Sequence, residues 1–132
     1  MAIQSPPFMF WAVASVGLVW NLMGCWSYIT QLDPDAVERL PEVSRFIVEN
    51  RPQWATAAFA VSVFGGTIGA VLMLLRRRSA TGVLAFSVIG TGVMAYFTVR
   101  VLGVEPATLS ALLMSLALFA FALVATQRGW LI

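Results

Sequence analysis

Four long apolar stretches, at about residues 8–29, 53–75, 80–102 and 107–126, contain none of the acids and only one of the arginines in the chain, Arg100. A bilayer core about 30 Å thick is crossed by roughly 20 helical residues. Four crossings therefore occupy nearly all of the 132 residues. The fold class this dictates is an all-α membrane protein, a single integral domain over residues 1–132 with four transmembrane helices. A hydrophobic fraction of 60%, a charged fraction of 11% and a mean hydropathy of +0.87 agree with a chain solvated by lipid.

The spans have local start and stop signals. Pro6 and Pro7 lead into the first, where a missing N–H leaves no helical bond unmade. The segment Gln31 to Pro52 changes character, holding three of the eight arginines and five of the six acids. Within it, Asp33-Pro34 and Pro41 are helix starts, and Val43, Phe46 and Ile47 share one face, which predicts two short amphipathic helices at the lipid surface. Arg76, Arg77 and Arg78 end the second span, Ser79 to Gly82 read as a tight turn, and Gly103 to Pro106 break the chain before the fourth span. The tail Gln127 to Ile132 is expected to set Arg128 and Trp130 at the interface.

Arginine placement predicts orientation, because short cytoplasmic loops retain positive charge whereas acids count for little. The triple arginine then puts both termini inside and leaves a short helical loop outside, in the periplasm of a bacterial inner membrane. Trp11 and Trp130 mark one interface, and Trp26, Tyr28 and Trp54 the other. The apolar run that follows Met1 to Pro7 is longer than a signal-peptide core and lacks a small-x-small cleavage pattern, so it reads as a retained helix.

Several function classes are disfavoured by what the chain lacks. There is no Lys and no His, and the arginines form no basic face with interleaved aromatics, which argues against nucleic acid. Without His and with the single Cys25, neither a metal centre nor a haem is expected, so no cofactor is assigned. No Ser/His/Asp, Cys/His or paired-carboxylate set is visible, and a non-enzymatic role is expected. None of the six acids lies mid-span, where proton or ion coupling is usually housed.

The informative positions are small or polar. Gly17, Asn21, Gly24 and Tyr28 share one face of the first span, with Asn21 near mid-membrane. A buried amide in hydrocarbon must hydrogen-bond to another helix, a ligand or water. Ala58, Ser62, Gly65 and Gly69 form a GxxxG-type packing face on the second span. Ser87, Thr91, Met94 and Thr98 make a similar row on the third, with Ala111 and Ser115 on the fourth. Arg76, Arg77 and Arg78 suit anionic lipid headgroups, worth about 1 kcal/mol per charge.

Trp20-Asn21-Leu22-Met23-Gly24, the acidic loop, Gly65-Gly66-Thr67-Ile68-Gly69 and Leu74-Leu75-Arg76-Arg77-Arg78 together resemble a family of small bacterial inner-membrane proteins commonly labelled sugar transporters. The resemblance covers about Trp11 through Tyr96 and implies a four-helix inner-membrane protein with a link to transport. It departs at Ser27, where that family often has Asp. Small multidrug-resistance proteins are of similar size but depend on a Glu in the first helix, absent here. The residues themselves favour a non-catalytic accessory or assembly subunit, with its glycine faces against other membrane helices or a second copy. The alternative is an oligomeric carrier or facilitator for a small, sugar-like solute, with Asn21 and Tyr28 along the path.

Overall fold

The computed structural model describes residues 5–132. The expected cytoplasmic N-terminus therefore lies, for residues 1–4, outside the described residues. The described chain is helical throughout: α1 (Phe8–Thr30), α2 (Pro34–Glu38), α3 (Glu42–Asn50), α4 (Gln53–Leu74), α5 (Ser79–Leu102) and α6 (Pro106–Gln127). The four long helices, of 22 to 24 residues, are long and apolar enough to cross a membrane. At about 1.5 Å per residue each reaches beyond the hydrocarbon core.

Local chemistry accounts for the boundaries. Asp33 caps α2, its Oδ1 accepting from Asp35 N at 3.1 Å, and Pro34 occupies the first turn. Gly103 ends α5 at φ +79°, a left-handed conformation open to glycine, while its N–H still reaches Val99 O at 2.9 Å. Pro106 then opens α6. Between α4 and α5, Arg76 takes φ +58° and turns the chain within residues 75–78. The expected turn at Ser79 to Gly82 is thus displaced: the reversal is complete before Ser79, which already lies in α5.

α4 is central, flanked by α1 and α5, and α6 packs mainly on α5. The adjacent glycines of α4 serve different neighbours, since consecutive helical positions point about 100° apart. Gly65 lies against Ser87 and Gly69 against Leu84, both on α5, whereas Gly66 receives Asn21 of α1. From the other side of each seam, Gly90 of α5 meets Ala58 O and Ser62 N, and Gly24 of α1 meets Val63. Cys25 donates to Val63 O at 3.4 Å and lies 3.2 Å from Thr67 Oγ1. α1 touches α6 sparingly, with Gly17 under Leu118 and Phe10 stacked on Phe121.

Those last contacts belong to an apolar plug at the end of the bundle that carries Arg76. Phe10, Met73, Leu84 and Leu131 are its largest fully buried side chains. The tail is part of it. Ile132 N donates to Arg76 O at 2.7 Å, Arg78 N to Ile132 O at 3.1 Å, and Arg76 Nε to Trp130 O at 2.8 Å. Trp130, expected simply at an interface, is half-buried against Phe10 and Phe121.

At the opposite, loop end, α3 divides the apolar face expected of it. Ile47 is buried against Ala55 and Phe97, while Val43 and Phe46 remain 52% and 49% exposed. Ile47 thus docks α3 on the bundle and leaves its apolar neighbours outward.

Candidate functional site

From the Gly17–Leu118 contact toward the loop end, α1 and α6 border a cleft of about 440 Å³. That is within the roughly 300 to 1,000 Å³ of small-molecule sites. Leu84 and Leu118, both nearly fully buried members of the plug, form its base. Helical spacing supplies the walls. Ser87, Thr91, Met94 and Thr98 recur every three or four residues and bring one stripe of α5 to the cleft. Thr108, Ala111 and Ser115 do the same for α6, and Asn21, Gly24, Ser27 and Gln31 for α1 and its C-cap. Trp20, Phe59 and Met114 add apolar surface.

The polar wall is largely held by its own hydrogen bonds. Ser87 Oγ donates to Ser62 O at 2.7 Å, tying α5 to α4, and Thr91 Oγ1 donates to Ser87 O at 2.9 Å. The Thr91 proton being committed there, the Ser62 hydroxyl donates to Thr91 Oγ1. Thr98 Oγ1 donates to Met94 O at 3.1 Å. Asn21, 8% exposed, directs its amide N–H to Gly17 O of its own helix at 2.8 Å, so its link to α4 is the close packing on Gly66. Ser115 Oγ differs: it is shielded from solvent and has no hydrogen-bond partner among the described residues. A serine inside a helix can bond to the carbonyl four residues before it; this hydroxyl does not, and Ser115 borders the cleft.

Among the described residues, no charged side chain lines the cleft. Arg51 stands at its rim instead, bridging α1 and α4: Nη2 donates to Gln31 Oε1 and Nε to Thr56 Oγ1, each at 3.1 Å. Its guanidinium carbon lies 5.0 Å from the centre of the Phe59 ring, a cation–π distance. Burial pulls the Arg51 pKa below its ordinary value, an effect that Tyr28 opposes. A guanidinium remains charged under this pressure, and at this rim it orients Gln31. Nothing in the pattern Asn50-Arg51-Pro52 distinguishes this arginine from the others, so its role emerges only from the fold.

No protein-family model, curated protein or solved structure matches the chain.

The residues singled out from sequence separate into two groups. Asn21, Gly24 and Ser62 border the cleft, as does the whole row Ser87, Thr91, Met94 and Thr98 with Ala111 and Ser115. Gly17, Gly65 and Gly69 are helix contacts within the chain. Tyr28 is outside the lining, edge-on to Phe59 and Phe64 with ring centres 5.7 and 5.5 Å away. Arg77 and Arg78 are exposed at the plug end, while Arg76 is engaged with the tail. Among the described residues, no three acidic or cysteine side chains converge as metal ligands do.

Proposed function

We propose that this chain is a multi-pass membrane protein that binds an uncharged, hydrogen-bonding molecule in the α1–α6 cleft and carries or facilitates it across the bilayer. The observation that carries this reading is the cleft itself, walled by hydroxyls and amides set among apolar side chains, without a charge among the described residues, and blocked at one end by the plug. A charged substrate would meet no counter-ion there, and its desolvation would go uncompensated. A neutral polyol or sugar-like solute would find alternating hydroxyl and apolar contacts. The resemblance to proteins labelled sugar transporters points the same way.

With Arg76, Arg77 and Arg78 retained in the cytoplasm, the termini lie inside and the cleft faces the periplasm of a bacterial inner membrane. Purified protein in liposomes tests the function: it should pass a neutral sugar faster than empty vesicles do. Ala111→Trp, which fills the cleft, should remove the excess flux. Equal flux with and without protein refutes the carrier.

A second reading, a non-catalytic accessory subunit or homo-oligomer, is favoured by α6. Only 11% of its most apolar window is buried, against 28% to 33% in the other spans. The glycines that favour close helix contact are occupied by neighbours in the same chain, so a partner helix would use the leucines of α6. Native sizing after gentle extraction tests this reading: a stable larger assembly is expected, and a monomer without partners refutes it.

A further inference from the structure

A second cavity adjoins the cleft. It has about 230 Å³ and lies between α1 and α6, lined by Ala12, Val13, Val16, Met114, Ala117 and Leu118, without a polar side chain. Met114 and Leu118 also line the cleft. These two side chains are therefore a partition with hydroxyls and amides among apolar side chains on one side and only hydrocarbon on the other. Ser115, with its unpartnered hydroxyl, is one residue from Met114 on the cleft side. Val16 and Ala117 are exposed along the groove, so it opens at the surface that faces lipid in the membrane reading.

A small hydrophilic solute needs no such groove. A molecule with one aliphatic chain and an uncharged hydroxylated head spans both cavities when the Met114 side chain turns aside from the partition: the head takes the cleft and reaches the shielded Ser115 hydroxyl, and the chain lies along Val13, Val16 and Ala117. We propose that the ligand of this protein is such a neutral amphiphile, admitted from the bilayer between α1 and α6. The inference rests on the cleft being a binding site and narrows the class of molecule it takes. Burial of the chain supplies binding through apolar area. The uncharged polar wall discriminates against cationic and anionic heads, whose desolvation nothing in the lining offsets.

The test uses the full chain in phosphatidylcholine nanodiscs, with a reporter cysteine at Ala111→Cys in the cleft or Ala117→Cys in the groove. Buried Cys25 is the internal reference. Thiol labelling is followed with octyl glucoside below its micellar concentration, with glucose, or with octyltrimethylammonium. Octyl glucoside should slow labelling at both positions, glucose at Ala111→Cys alone and only at far higher concentration, and octyltrimethylammonium at neither. Ser115→Ala should raise the octyl glucoside concentration for half-protection by about 2- to 10-fold, the worth of one neutral hydrogen bond. If glucose protects Ala111→Cys as well as octyl glucoside does and Ala117→Cys stays reactive, the amphiphile is refuted and the neutral-solute reading stands. Equal protection by octyltrimethylammonium refutes recognition of the head. If no probe protects either position, the cleft reading falls with it.

Discussion

Alanine at Gly66 should damage the protein, while alanine at its neighbour Gly65 should not. A Cβ on Gly66 would lie 2.0 Å from Asn21 Oδ1 and 2.5 Å from Asn21 Cγ, well inside contact distance. Asn21 cannot swing aside without breaking its 2.8 Å bond to Gly17 O, so α1 must retreat from α4. Overpacking of this kind costs about 1 to 3 kcal/mol, offset by up to about 1 kcal/mol of helix propensity. At Gly65 the nearest atom to a new Cβ is Ser87 Cβ at 3.5 Å, an ordinary contact. Gly65→Ala should thus be neutral or stabilising by a few tenths of a kcal/mol. Reversible unfolding in mixed micelles, or the temperature at which monodisperse elution is lost, measures the difference. Asn21→Ala in the Gly66→Ala background removes the colliding amide and should restore part of the loss, giving a favourable coupling in a double-mutant cycle. Equal damage at both glycines, or no relief from the second substitution, would refute the geometry of the α1–α4 seam.

Two further outcomes follow from the ends of the bundle. Leu131→Ala empties the plug beneath the tail and should cost about 2 to 4 kcal/mol, read as a lowered unfolding temperature and as faster amide exchange over residues 76–78 and 130–132. Unchanged exchange would mean that the tail does not hold the turn. Arg51→Gln releases Gln31 and the Phe59 ring, and should weaken the rim by about 1 to 2 kcal/mol. The expected signature is faster exchange at the α1 and α4 ends nearest the loop, with the plug unaffected.

Where the backbone chemistry is local, the sequence sufficed. The apolar runs locate the four long helices to within a residue or so, because span length is set by membrane thickness and the ends by Pro, Gly and Arg. The turn after Leu74 was harder, since it depends on Arg76 adopting a left-handed conformation that a non-glycine residue seldom shows. Which helices meet was not legible. Each span is apolar all round, so periodicity does not say which side faces protein and which lipid. Gly65 and Gly66 read as one motif yet serve opposite seams. The hydroxyl row Ser87, Thr91 and Thr98 was visible as a row, but the space beside it depends on α6 meeting α1 only near the plug. Leu131 and Arg51 carried no sequence signal, because their importance comes from contacts 50 or 20 residues away in the chain.

The hairpin of α4 and α5 is closed by residues 75–78 alone and shares the most extensive interface in the molecule. Its contacts are local in the chain and carry little loop-closure entropy, so during synthesis it can assemble as soon as α5 has been made. α1 joins it across the long loop that precedes α4. The α1–α6 junction must wait for the last helix and for the tail that closes the plug. The boundary that forms last has few contacts to hold it, and such low-stability regions open most readily in the native state. The order of assembly thus leaves a weak joint beside the cleft, so the bundle can part there while its core pair stays intact.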